Sequence, residues 1–256
     1  MNRISKAFTD GTAFIPFITG GDPDIETTEK LLYALRDAGA DAIEIGIPFS
    51  DPVAEGPVIE AAAARALSKG CTVDQLFDMT TCVRSKIEIP VLFMTYYNPV
   101  FAYGVDRFIT RCAGAGLDGL IVPDLPFEER GELYNPCAAA GMDLISLIAP
   151  TTEERIPEIA VNSRGFLYCV SSLGVTGVRS TLDDSARQMI ARVRAVSDIP
   201  CAVGFGISTP KQAKEVAQFA DGVIVGSALV RIVAEYGRES VAPIYDFAKK
   251  IKESLI

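Results

Sequence analysis

The sequence contains no histidine. That absence removes Ser-His-Asp and Cys-His mechanisms, so any proton transfer near pH 7 falls to Asp, Glu, Tyr, Lys or Cys with an adjusted pKa. Cysteine occurs six times, at Cys71, Cys82, Cys112, Cys137, Cys169 and Cys201, with no C-x-x-C pair and no histidine to complete a zinc set. The pattern predicts no metal site, and most of these thiols read as buried apolar fillers in a reducing compartment. Positive charge is scarce: 24 Lys and Arg face 33 Asp and Glu, a net charge of −9. Nucleic acid and anionic membrane surfaces are thus disfavoured as partners, and an anionic ligand has to be gripped locally. No run of about 18 apolar residues occurs, and Met1 to Gly11 lacks a basic segment followed by an apolar one. The expected location is the cytoplasm.

What the chain does contain is an echo. Ala38-Gly39-Ala40-Asp41, Ala115-Gly116-Leu117-Asp118 and Ala140-Gly141-Met142-Asp143 each precede a short apolar run. Glycine at the end of a helical pattern supplies the left-handed position that closes a helix. A second echo, Glu88-Ile89-Pro90-Val91 and Asp198-Ile199-Pro200-Cys201, places proline at a strand entrance, where its missing N–H is tolerated. Apolar runs mark eight strands, at 13–19, 41–46, 90–95, 118–123, 143–148, 165–171, 200–204 and 222–226. Amphipathic stretches lie between them. In 25–38, Leu31, Leu35 and Ala38 share one helix face, while Glu26, Glu29 and Arg36 take the wet side. Such alternation means parallel strands with crossover helices. An open doubly wound sheet usually has about five or six strands, so eight units favour a closed (β/α)8 TIM barrel. The length of 256 residues suits one such domain spanning 1–256, with no linker-like stretch.

Strand two reads Asp41-Ala42-Ile43-Glu44-Ile45-Gly46. Alternation sends Ile43 and Ile45 toward the outer helices and Ala42, Glu44 and Gly46 into the barrel. A carboxylate taken out of water responds with a raised pKa, and such a group can both accept and donate a proton. The plainer reading is a strand-end acid tied to a basic residue on the rim. The next segment, Pro48 to Pro57, is too proline-rich for helix or strand, and Pro57 suits the first turn of a helix. It forms a loop over the strand ends that brings Asp51 and Glu55 to the rim of Glu44, as a mobile lid bearing a second acid or as a surface loop with two solvated ones.

Glycines mark a phosphate cradle. Gly204-Phe205-Gly206-Ile207-Ser208 follows strand seven, and Gly226-Ser227-Ala228 follows strand eight, where Ser227 is expected to cap a short extra helix through about Tyr236. Loops seven and eight plus such a helix are the common phosphate site of these barrels. A third glycine-bearing loop, Gly174 to Arg179, either closes over the same anion or is an ordinary flexible loop.

Together these segments resemble the α subunit family of tryptophan synthase, from about Phe14 to the last helix. The likeness is carried by Phe17-Ile18-Thr19-Gly20-Gly21-Asp22-Pro23, Glu44 through Pro57, Asn98, Asp124-Leu125-Pro126, Gly174 through Gly177, Gly204 through Ser208, and Gly226-Ser227. The resemblance implies retro-aldol cleavage of indole-3-glycerol phosphate to indole and glyceraldehyde 3-phosphate. It gives the proton transfers to Glu44 and the contact with the indole N–H to Glu55, where the family more often has aspartate. It matches Phe17, Ile121, Leu147 and Tyr168 to the indole pocket, for which core packing or barrel filling is the alternative. It matches Thr176, Gly177, Gly206, Gly226 and Ser227 to the substrate's phosphate end. It further implies a pyridoxal-phosphate β subunit in an α2β2 assembly, contacted through Pro48, Asp51, Asn98 and Pro126, with no cofactor in this chain.

Two other readings stay open. A different sugar-phosphate barrel, such as indole-glycerol-phosphate synthase or an isomerase, shares the glycine loops, but the synthase is expected to carry lysines at strand ends that here have almost none. A catalytically silent subunit that binds ligand and activates its β partner is compatible with the change to Glu55.

Overall fold

The computed structural model describes residues 2–170, 184–204 and 206–256. Eight parallel strands close into a barrel in sequence order. They are β1 (Ala13–Thr19), β2 (Ile43–Gly46), β3 (Val91–Met94), β4 (Gly119–Ile121), β5 (Asp143–Ile148), β6 (Leu167–Val170), β7 (Cys201–Gly204) and β8 (Gly222–Val225). Each lies within the run expected from the sequence, most of them shorter by a few residues. The open sheet is excluded by the ladder between β1 and β8, with Ala13 opposite Gly222 and Pro16 opposite Val225.

The Ala-Gly echo is one backbone device used three times. Gly39, Gly116 and Gly141 all have positive φ, at 99° or below. Behind each, the N–H one residue on reaches five residues back: Ala40 to the Leu35 carbonyl at 3.0 Å, Leu117 to Cys112 at 3.0 Å and Met142 to Cys137 at 2.9 Å. This is a Schellman closure, which satisfies the last carbonyls of a helix and turns the chain into the next strand.

The aspartate that follows then ties the strand entrance. Asp41 accepts the Phe14 N–H at 2.6 Å and Asp118 the Val91 N–H at 3.0 Å. Asp221, ahead of β8, accepts the Cys201 N–H at 2.9 Å. Each such carboxylate bridges its own strand to the one before it, at the N-terminal rim.

Two apolar layers follow from strand alternation. Ile43, Ile45, Phe93, Leu120 and Val203 face the outer helices. Ile15, Ala42, Leu92, Ile121, Phe166 and Ile224 fill the barrel. Of the cysteines, Cys112, Cys137, Cys169 and Cys201 are buried as expected, Cys71 is half-buried, and Cys82 is exposed. Among the described residues no helix is long and apolar enough to cross a membrane.

Candidate active site

Glu44 stands where alternation puts it, inside the barrel two residues before the C-terminal end of β2, and it is 0% exposed. Neither carboxyl oxygen has a hydrogen-bond partner among the described residues. The expectation of a basic residue tied to it is therefore not met there. Burial alone pushes its pKa up to about 8, because the charged form has exchanged water for an apolar wall. At neutral pH it holds a proton that little else binds.

The groups around it owe their positions to missing side chains. Phe17 of β1 lies opposite Glu44 in the β1–β2 ladder. Its ring occupies the space above Gly46, where an added Cβ would come 2.5 Å from Phe17 Cζ. The same ring reaches the other neighbour of β1, 3.4 Å from where a Cβ on Gly226, just after β8, would stand. Tyr168 of β6 lies over Gly204, whose Cβ would meet the tyrosine Cε1 and Oη at 2.6 Å. Its hydroxyl is held well above the usual phenol range, by burial first and then by the charge of Glu44. Ile121 and Tyr168 are buried in the inner layer, and Leu147 packs half-buried against it. Leu147 is opposite Tyr168 in the β5–β6 ladder. The geometry thus sets Phe17 beside Glu44 and Leu147 beside Tyr168 inside one barrel, with the Glu44 charge felt at Tyr168, and two inward glycines make room for the rings. Alternation marked Gly46 as inward-facing; only the contact with Phe17 gives it a purpose.

The loop after β2 carries the second acid. Pro57 opens the helix Pro57–Ser68 as the proline spacing predicts, behind Gly56 as the cap residue. Glu55 is half-buried and its pKa rises to about 7, from burial and then from the charge of Glu60. The Glu44 oxygens have no hydrogen-bond partner among the described residues, so the two acids are not hydrogen-bonded to each other here. The loop has contacts with the strand ends: Tyr96 accepts the Ala54 N–H at 3.0 Å, and its ring packs against Phe49 with centroids 5.6 Å apart. The sequence reading missed Tyr96, whose only signal was an aromatic residue two positions after β3.

On the opposite arc, Gly206 is exposed with a φ of +82°, in a loop anchored where Ser208 donates its N–H to Gln212 Oε1 at 2.9 Å. The short helix after β8 runs Ser227–Tyr236, the expected range. One detail is corrected. Ser227 is the first helical residue, the cap position belongs to Gly226, and no side chain caps the helix. Gly226 takes the cap with φ −116° and ψ −79°, so Ser227 is already in the first helical turn. Thr176 and Gly177 lie outside the described residues, as does Phe205. Pro48 is half-buried and Asp51, Asn98 and Pro126 are exposed; they lie in the segments that follow the consecutive strands β2, β3 and β4, Asn98 within the helix Tyr97–Tyr103.

The family model for the tryptophan synthase alpha chain matches residues 5–255. This chain belongs to that family. A tryptophan synthase alpha chain of Thermoanaerobacter sp. (strain X514) is 45% identical over 262 aligned positions, covering 100% of both chains. The crystal structure of tryptophan synthase subunit alpha from Legionella pneumophila str. Paris superimposes with a TM-score of 0.88 at 36% identity, covering 100% of this chain and 98% of that one. A chain from a Pyrococcus furiosus study, titled for mutual activation of the tryptophan synthase a2b2 complex, gives 0.88 at 37% identity, covering 94% and 98%. Tryptophan synthase alpha chains cleave indole-3-glycerol phosphate to indole and glyceraldehyde 3-phosphate, and the chain is a lyase of that reaction in tryptophan biosynthesis.

Proposed function

We propose that Glu44 carries both proton transfers of the cleavage and that Glu55 stabilises the charge that develops on the indole ring. The carbon–carbon bond breaks only when the indole is a leaving group. Glu44, protonated at neutral pH, donates to indole C3, and positive charge spreads to the ring nitrogen. A carboxylate at Glu55 accepts a hydrogen bond from the ring N–H and lowers the energy of that cation. The Glu44 carboxylate then takes the proton of the adjacent side-chain hydroxyl. The electrons of that O–H bond form the aldehyde, those of the C–C bond return to the ring, and Glu44 ends protonated as it began. The observation that carries this is the buried, unpartnered state of Glu44 among the described residues.

Phe17, Ile121, Leu147 and Tyr168 form the proposed indole pocket. Gly206, Gly226 and Ser227 take the phosphate through backbone N–H groups and the positive end of the helix Ser227–Tyr236, together with Thr176 and Gly177 from the sequence that follows β6. Each hydrogen bond to the anion contributes roughly 1.5–3 kcal/mol, so no basic patch is needed in a chain of net charge −9.

The whole chain, 1–256, acts as one domain in the cytoplasm and pairs with a pyridoxal-phosphate β subunit through Pro48, Asp51, Asn98 and Pro126. Val53, 77% exposed in the loop after β2, and Phe101, 66% exposed in the helix Tyr97–Tyr103 after β3, supply apolar area for that contact. The Pyrococcus neighbour's a2b2 assembly supports this pairing. The cofactor belongs to the partner.

The test is indole release from indole-3-glycerol phosphate by the purified chain, with and without a tryptophan synthase β subunit. Slow release alone that rises sharply with β supports lyase and partner together. In the free protein kcat/KM is expected to climb through about pH 7 as Glu55 ionises and to fall above about pH 8 as Glu44 loses its proton. Release that keeps rising past pH 9 would count against Glu44 as the initial acid.

A further inference from the structure

A loop acid stabilises a developing charge only if it stands within hydrogen-bond reach of it, and a proline-rich connection has no ladder of its own to hold it there. One side chain from another strand end supplies the hold. Tyr96, two residues past β3, is 2% exposed, and its phenolic oxygen accepts the N–H of Ala54, the residue before Glu55, at 3.0 Å. The Phe49 ring, at the start of the loop, packs on the Tyr96 ring. The loop is therefore gripped near both ends by one residue.

The grip is itself anchored. On one side of Tyr96, the Thr95 N–H is donated to the Ile121 carbonyl of β4 at 3.0 Å. On the other, the Tyr97 N–H is held by both oxygens of Asp124 at 2.9 and 3.2 Å. Burial above all, with the nearby Glu55 charge adding to it, pushes the Tyr96 hydroxyl up to about 12, so it stays an un-ionised acceptor throughout the working pH range.

We infer that Tyr96 is a positioning residue for the loop acid: by binding the peptide N–H next to Glu55, its phenolic oxygen fixes where that carboxylate stands over the barrel mouth. The inference rests on the role proposed for Glu55. A ring that merely filled space would not need its oxygen. Phenylalanine keeps the ring and its packing on Phe49, and leaves the Ala54 N–H without its acceptor.

The experiment is a double-mutant cycle on indole release by the purified chain, with amide hydrogen exchange of the loop followed in parallel. Tyr96→Phe is expected to lower kcat about tenfold with KM for indole-3-glycerol phosphate within twofold, and to speed exchange at Ala54. In a Glu55→Ala background the same change is expected to alter kcat by less than twofold, since the acid it positions is gone. Equal losses in both backgrounds, or Tyr96→Phe with parent kcat and parent exchange, overturn the inference. Glu55→Ala on its own separates the two layers. A large loss there with none in Tyr96→Phe overturns the positioning role alone, whereas parent-like turnover in Glu55→Ala removes the role of the acid and the inference with it.

Discussion

At the N-terminal rim of the barrel, Asp41, Asp118 and Asp221 each accept a strand-entrance N–H and each meet a basic side chain, Lys252 at 2.7 Å, Arg3 at 3.1 Å and Arg194 at 3.2 Å respectively. At the C-terminal end, Glu44 meets no donor among the described residues. The two sets of acids lie in one barrel, a strand's length apart, under opposite rules. Where donors are present, the carboxylate ties strands together. Where none is, the acid keeps its proton and is available for transfer. The same barrel thus spends its lower rim on stability and its upper rim on chemistry.

Glu44→Gln breaks the contrast most severely. Removing the proton shuttle is expected to lower indole release by about 10³-fold or more, within the range that general acid–base groups contribute. Stability should move the other way. The folded pKa of about 8 lies above the ordinary 4.5, so the stabilising effect of the neutral acid is complete below pH 4.5 and is lost as pH rises through about 8. At about 1.4 kcal/mol for each tenfold change in proton affinity, the advantage of Glu44→Gln over the parent should grow by on the order of 5 kcal/mol between those limits. Urea titrations at pH 5 and pH 9 read this directly. A pH-independent difference would mean that Glu44 is answered by a donor in solution.

Asp118→Ala probes the other rim and should show the reverse pattern. It leaves the Val91 N–H without its acceptor and Arg84, whose side chain is 12% exposed, without its 3.3 Å carboxylate partner. Arg84 keeps its 2.7 Å bond to the Ile89 carbonyl, which moderates the loss. The expected cost is about 2–3 kcal/mol of unfolding free energy, with kcat per folded molecule within twofold of the parent. Lost turnover at unchanged stability would show that the rims are coupled and that the division of labour drawn above is wrong.

How much of this was legible in the sequence follows the same division. The barrel was readable because the Ala-Gly closures, proline entrances and apolar runs are local signals that repeat, and each forces the same helix-to-strand turn. Glu44 was readable because alternation between two isoleucines leaves an acid only one face to occupy. What was not legible depends on contacts between distant strand ends. Nothing in the sequence around Tyr96 says that its oxygen will meet the backbone of a loop 42 residues earlier. The purpose of Gly46 and Gly204 appears only once aromatic rings from β1 and β6 are seen lying over them. Ser227 was misassigned as a cap because serine is a common cap residue, and glycine at 226 took that position instead.

The smallest expected effect bears on how the upper rim tolerates its departure from the family pattern. Glu55 carries one methylene more than the aspartate common at that position, and the backbone beside it is tied down through Ala54. A tied loop cannot move far to suit a shorter side chain, so Glu55→Asp retracts the carboxylate by about a bond length while keeping its charge. The hydrogen bond to the ring N–H lengthens without being lost. A drop in kcat of up to about tenfold is expected, equal to about 1.4 kcal/mol of transition-state stabilisation, with KM little changed. Loosening the loop with Tyr96→Phe should then cost the aspartate variant less than it costs the parent, because a freer loop can follow the shorter acid inward. Complete inactivity of Glu55→Asp would instead show a site built rigidly around the longer side chain, with no compensation available from the loop.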